Sequence, residues 1–335
     1  MRAIVQDRYG SPGDLRLREI ERPAVGDDEV LVRVRAASVH PDVWHVVTGH
    51  PFVLRLMGSG LLRPGCPVPG TDLAGVVEAV GGNVTRFQPG DEVFGESVRG
   101  HSWRNGGTFA EYASVPADGL AAKPANVTFA QAAVVPTAGY ITLLNLSGVR
   151  VLPGARVLVN GAGGGVGALA VQIAKADGAH VTGVEHTRKL ELVRALGADE
   201  VLDHTRDDFT RADQRYDLIV DIPGNHPVAA CRRVLTPEGT YVLVGHDQFG
   251  RTGHGWLGSL PRFAKLAMLS LFVRQLRGRA SSGLGKREAM NRLAAYLAAG
   301  QLTPVIDRAY PLGEAAEAIR HLAEGEPVGR IVLTI

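Results

Sequence analysis

The chain has 335 residues, enough at roughly 150 residues per domain for two domains. The 36 Lys and Arg stand against 34 Asp and Glu, a formal net charge of +2 that makes no basic field for nucleic acid, while 45% hydrophobic and 21% charged residues exclude a disordered chain. Cys66 and Cys231 alone build neither a disulfide framework nor a CxxC metal pair, MRAIVQDRYG lacks a signal-peptide core, and no apolar run suits a membrane span, so a cytoplasmic protein is expected.

In chain order, the first third carries short β signals. Val30, Val32 and Val34 alternate with Leu31, Arg33 and Arg35 over Glu29 to Ala36, which predicts a half-buried strand. AGVVEAVG (Ala74 to Gly81) and PGDEVFG (Pro89 to Gly95) add strands punctuated by Gly, Pro and Asp. A mostly β first domain is the simplest reading. After about Asn126, strands alternate with amphipathic helices, the pattern of a parallel sheet covered on both faces. Arg156 to Val159 reads as a strand, and behind a glycine run Val166, Leu169, Ala170, Ile173 and Ala174 recur at helical spacing. His180 to His186 is the next strand, followed by Leu190, Val193 and Leu196 on a helix that Gly197 can end in a left-handed cap. Strands at Glu200 to Leu202, Leu218 to Val220 and Thr240 to Val244 continue the series. From Gly250 to Gly285 the chain turns apolar and basic together, with Trp256, Leu260, Phe263, Leu266, Leu269, Phe272 and Leu276 at steps of three and four. This predicts an amphipathic helix; a membrane surface would suit it, but the expectation is a helix flanking a cleft or subunit contact, with no membrane partner. A helix near Glu314 to Ala323 and a strand from Arg330 to Ile335, returning to the first domain, complete the series.

The most informative segment is VLVNGAGGGVG, Val157 to Gly167, between a predicted strand and a predicted helix. In that setting glycines let the backbone turn tightly and approach a pyrophosphate, which the amides of the helix N-terminus then bind. Ala162, Gly164 and Gly167 take the three fingerprint positions; alanine at the first departs from strict GxGxxG, and the surrounding βαβ pattern supplies the context. Glu185 ends the second strand, where an acid binds a ribose hydroxyl and favours NAD. His186, Thr187, Arg188 and Lys189 follow at once and can hold the extra phosphate of NADP. A solvated helix start accounts for Arg188 and Lys189 nearly as well.

GTDLAGVVEAVG (Gly70 to Gly81), PGDEVFG, the Gly161 to Gly167 turn and LGADEVLDH (Leu196 to His204) together resemble the medium-chain dehydrogenase/reductase superfamily over essentially the whole chain. More narrowly, the chain resembles the zinc-free quinone oxidoreductase branch, whose members use NADPH to reduce quinones or enones. The resemblance implies an α/β fold: a mostly β, GroES-like catalytic domain over 1–125, completed by 300–335, and a Rossmann domain with a doubly wound parallel sheet over 126–299. Zinc-dependent relatives need an early cysteine, a GHE pattern and a four-cysteine lobe. Here Ser38 and His40 stand in the first region, GTD (Gly70 to Asp72) replaces the second, and two cysteines cannot make the third. His40 and His45 lie five apart with no HExxH acid, so no metal is expected.

The segment Ala37 to Gly49 then lines the nicotinamide and substrate pocket, where relatives commonly carry Asn at the position of His40 and Tyr or Lys near His45. Either histidine hydrogen-bonds substrate oxygen or donates a proton near neutral pH, or is structural; the sequence leaves both open. The resemblance also puts Thr137 near the nicotinamide, and Asn160, Ala162, Gly163, Gly164, Gly165, Val166 and Gly167 around the pyrophosphate. It puts Glu185, Thr187, Arg188 and Lys189 at the ribose, His204 on the adenosine in place of a tyrosine, and Gly245 beside the cleft. Asp221 and Gly224 mark a strand end. Arg330 either reaches a cofactor phosphate or is solvated at a strand start. The implied activity is metal-free hydride transfer from NADP(H), with NAD(H) not excluded, to a small electrophilic quinone or enone. An alcohol or aldehyde oxidoreductase and a non-catalytic cofactor-binding protein are the alternatives, and a homodimer is implied.

Overall fold

Alternation builds the first sheet: Val30, Val32 and Val34 are buried while Arg33 and Arg35 face solvent. The computed structural model describes residues 1–98, 104–147, 153–245, 256–276, 283–324 and 327–335. Along the first part run β1 (Arg2–Val5), β2 (Arg16–Glu19), β3 (Glu29–Val39), α1 (Pro41–Thr48), β4 (Asp72–Val80), β5 (Glu92–Glu96), β6 (Tyr112–Pro116) and β7 (Leu120–Ala122). There follow α2 (Phe129–Ala133), α3 (Pro136–Ser147), β8 (Arg156–Asn160), α4 (Gly165–Ala176), β9 (His180–Glu185), α5 (Leu190–Ala195), β10 (Glu200–Asp203), β11 (Tyr216–Asp221), α6 (Val228–Arg233) and β12 (Leu235–Leu243). The last part holds α7 (Leu260–Ser270), α8 (Lys286–Ala298), β13 (Ile306–Pro311), α9 (Ala315–Glu324) and β14 (Arg330–Thr334).

Two main sheets result. The first has the order β13-β14-β3-β4-β5-β7, with β6 also paired to β3, so the late strand β14 does return to the early sheet. β3 outruns its predicted end because Ala36 to Val39 are covered on both faces and lose the alternation on which the reading depended. The second sheet is wholly parallel, in the order β10-β9-β8-β11-β12. Its order reverses at β8, and the crevice beyond the carboxyl end of such a strand is where open α/β sheets bind ligands.

Helix α4 is predicted with one apolar face, yet Gly167 to Ala174 are all buried, because it lies between the parallel sheet and α3. Gly197 ends the α5 segment with φ 101°, the left-handed cap expected of it. β12 starts at Leu235, well ahead of the predicted Thr240, since Pro237 and Gly239 inside it read as turn residues and its register with β11 shifts there. The predicted helix over Gly250 to Gly285 is shorter: α7 covers Leu260–Ser270, and a short 3-10 turn covers Arg274–Leu276. Residues 250–255 and 277–282 of that expectation lie outside the described residues.

Candidate functional site

The glycine turn joins β8 to α4. Gly161 has φ 83°, a left-handed backbone that L side chains avoid. The turn therefore hinges on Gly161, one residue ahead of the assigned Ala162, whose buried methyl needs no special backbone. Gly161 N and Ala162 N both donate to Val184 O, at 3.0 and 3.1 Å, which ties the turn to β9. Gly164 caps α4 without any side-chain hydrogen bond, leaving the amides of the first turn, Gly165, Val166 and Gly167, directed outward. A Cβ at Gly167 would sit 2.0 Å from Gly161 O, so helix and turn meet there only because the side chain is absent. A Cβ at Gly165 would sit 2.1 Å from the Nε of Arg330, the first residue of β14.

Arg330 adds a cation to this cradle. It is 8% exposed, not solvated, and its Nε has no hydrogen-bond partner. Burial lowers its pKa, and the carboxylates of Asp72 and Asp42 pull it back up. A buried guanidinium against the N-terminus of a twelve-residue helix is an anion site from two directions, and these residues fit a dinucleotide diphosphate.

At the adjoining strand ends, Glu185 accepts from Gly163 N at 2.8 Å and from His186 N at 2.9 Å. Lys189 lies over the same glycine, its Cδ 3.0 Å from where a Gly163 Cβ would stand. Thr187 Oγ1 donates to Asp203 at 2.5 Å, so its hydroxyl proton is already committed. Hydrogen bonds from Thr187 and Thr205 hold the Asp203 carboxyl down at about 2. Arg188 is exposed, and His204, also exposed, donates its amide to Glu185 O and sets its ring edge-on to His186. The four residues expected at the ribose and His204, expected on the adenosine, thus gather at the carboxyl ends of β9 and β10.

Asn160 does not turn its amide toward the glycines. Its Nδ2 donates to Asp221 at 2.8 Å and to Asn225 at 3.1 Å, while Asp221 also accepts from Tyr241 Oη and Gly224 N. Those contacts lock the ends of β8, β11 and β12 together. Gly245 follows β12 against Ile222, where a Cβ would lie 2.9 Å from Ile222 O.

Next to Arg330 stands a buried polar cluster. Thr137 opens α3 and donates both its amide, at 3.1 Å, and its hydroxyl, at 2.5 Å, to Asp72. Burial pushes Asp72 up to about 6 against those hydrogen bonds and Arg330. Glu96 forms a 3.0 Å ion pair with Lys286 of α8, which also donates to Val98 O. Burial nonetheless pushes Glu96 up to about 7. His40 Nε2 lies 2.8 Å from Thr71 Oγ1, whose hydroxyl donates toward Asp72, so the imidazole takes the donor role. Burial, then Arg330, lowers His40 to about 3. It is neutral at physiological pH and has no imidazolium proton to give, contrary to one of the roles open to it in the sequence. His45 Nδ1 donates to His50 O at 2.7 Å and pins the loop after α1.

Comparisons with known proteins now bear on this geometry. Residues 26–125 match the family described as alcohol dehydrogenase GroES-like domain, and 196–333 match zinc-binding dehydrogenase. A 2-methylene-furan-3-one reductase of Solanum lycopersicum is 31% identical, with 99% of this chain and 79% of that protein aligned. The NADPH-dependent alkenal/one oxidoreductase, chloroplastic, of Arabidopsis thaliana matches at the same identity over the same shares. Among solved structures, the quinone oxidoreductase from Coxiella burnetii superposes with a TM-score of 0.80 at 27% identity, covering 100% of this chain and 99% of that one. The chain belongs to the medium-chain dehydrogenase/reductase superfamily.

One matched description within this superfamily names zinc, and the donors here do not fit it. Zinc takes thiolate, imidazole or carboxylate in a close tetrahedral set. Asp72 is engaged by Thr137, His40 rests on Thr71, and the Cys66 thiol donates to Val68 O. Cys231 is buried with Leu158 and Tyr241 in the core of the parallel sheet. Among the described residues no three His, Cys, Asp or Glu side chains converge to hold a metal.

Sequence reasoning missed three members of the site. Asp72 was visible only as a departure from GHE, and Glu96 and Lys286 carry no motif. Arg330 had a signal: a cation opening the apolar run IVLTI implies a buried charge with a purpose.

Proposed function

We propose that this chain is a zinc-independent, NADPH-dependent reductase that delivers hydride to a quinone or an α,β-unsaturated carbonyl. The observation that carries the reading is the buried, unpartnered Nε of Arg330 facing the first turn of α4. The activities for which the tomato and Arabidopsis relatives are named support the substrate class, and the latter's name supports NADPH. Arg188 and Lys189 at the ribose rim support the same preference; Glu185, already held by two amides, opposes it.

Arg330 and the α4 amides hold the diphosphate, and the ends of β9 and β10 receive the ribose. Bound NADPH supplies a hydride from its nicotinamide ring to an electron-poor carbon. An enone or quinone spreads the arriving charge onto oxygen, so alignment in a dry cleft replaces a Lewis acid. Asp72 fixes the start of α3 through Thr137, and neutral His40 holds Thr71 in place; both are positioning residues. Titration calorimetry tests the reading. NADPH should bind the wild type, and Arg330→Ala should weaken it about 30- to 150-fold, the equivalent of about 2–3 kcal/mol for a hydrogen bond to a charged group. No heat with NADPH or NADH on folded wild-type protein would overturn it.

A further inference from the structure

A surface lies apart from the glycine turn and from the buried polar cluster. The loop from Pro51 to Arg63 meets the distant segment Trp256 to Leu276: Val53 N donates to Trp256 O at 3.0 Å, and the rings of Phe52 and Trp256 lie 4.8 Å apart. His45 ties the start of that loop to α1, whose N-cap is His40 of the buried cluster, so one short helix joins this surface to that cluster.

Along α7 and its C-cap, Leu260, Ala264, Met268 and Leu271 recur at steps of four and three on one exposed stripe, while Leu266 is buried. Leu62 and Phe272 are each 85% exposed and Trp256 is 69% exposed. Side chains so far out project as separate tips and do not line a groove for a peptide or helix. Neither 51–71 nor 256–276 contains an Asp or Glu. Arg63, Arg104 and Lys265 are exposed there, Arg104 Nη2 lying 3.6 Å from where a Gly58 Cβ would stand. Of the other cations in these segments, Arg55 donates to Gly49 O, Arg262 donates to His226 O, and Arg274 is paired with Glu238 from β12.

Apolar tips set among cations match one occupant. A second copy of the chain would bring the same positive charge to a two-fold contact, whereas an anionic lipid surface offers negative headgroups over an apolar interior. We propose that this face docks the protein peripherally on an anionic bilayer, with Leu62, Trp256 and Phe272 inserted and Arg63, Arg104 and Lys265 at the headgroups. This departs from the sequence expectation of no membrane partner. No helix among the described residues is long and apolar enough to cross a membrane, so the contact is superficial. Docking would turn the cleft toward lipophilic electrophiles dissolved in the bilayer, a consequence that rests on the reductase reading.

The test is flotation of the full chain with vesicles of phosphatidylcholine, with and without phosphatidylglycerol. Binding to the anionic vesicles at low salt should fall at least about tenfold in high salt, on neutral vesicles, or in Leu62→Asp and Phe272→Asp. NADPH affinity should stay unchanged in both variants, since each altered side chain projects into solvent. Three outcomes overturn the proposal: no flotation with anionic vesicles, flotation indifferent to both substitutions, or light scattering that finds a dimer which the two substitutions split. Flotation needs no turnover, so its failure leaves the reductase reading standing, just as failed NADPH binding would leave docking standing.

Discussion

The glycine turn and the buried polar cluster beside it are built on opposite plans. The glycine turn is local: Gly161, Gly163, Gly164, Gly165 and Gly167 fall within seven residues, and even Glu185 reaches Gly163 across only 22 positions. The polar cluster is assembled from afar, with Thr137 meeting Asp72 across 65 positions and Lys286 meeting Val98 across 188. A local device depends on backbone clearance, whereas a dispersed one depends on every hydrogen bond that offsets the burial of charge. Damage to the first should abolish binding; damage to the second should loosen the protein while binding largely survives.

The largest effect is expected at Gly167→Ala, where the added methyl meets the Gly161 carbonyl and no flexible side chain can yield. Stability should fall by about 1–3 kcal/mol or more, and fluorescence titration should detect no NADPH binding. Thr137→Val should sharpen the contrast. It deprives buried Asp72 of its 2.5 Å partner at a cost of about 1–3 kcal/mol, read as a lower melting temperature, while NADPH affinity changes less than threefold.

Smaller still is the pH effect. Asp72 and Glu96 keep their protons up to about 6 and about 7 in the folded state, against ordinary values of 3.8 and 4.5. At these two carboxyls the native state therefore binds more protons than the unfolded chain, so their contribution to stability falls as pH rises from about 4 to about 7, opposed in part by His40, whose lowered folded value acts the other way below about 6.5. Melting curves should record the decline, and Glu96→Gln should flatten its upper part. The smallest effect is expected at Glu185→Gln, which removes a negative charge from the ribose rim. The ratio of kcat/KM for NADPH over NADH should rise about fivefold, equivalent to about 1 kcal/mol; an unchanged ratio would remove Glu185 as a discriminator.

The same contrast explains what could be read from the chain in advance. The parallel strands, the α4 turn and the Gly197 cap were legible because their causes are periodicity and backbone freedom within a few residues. Asn160 misled because its neighbours are glycines, yet its amide answers to Asp221 and Asn225 on other parts of the fold. His40 stays open between a chemical and a structural role in the sequence because an imidazole's usual titration range says nothing of burial. Asp72, Glu96 and Lys286 stayed hidden because their meaning lies in partners that only the folded topology supplies.

Arg330 belongs to a strand of the first sheet but presses on a glycine of the second domain's first helical turn. A separation of the two sheets would draw this cation away from the N-terminus of α4. On the proposed reading, parting of the sheets and release of the coenzyme would then be one event, and a variant that ties β14 to α4 should slow that release.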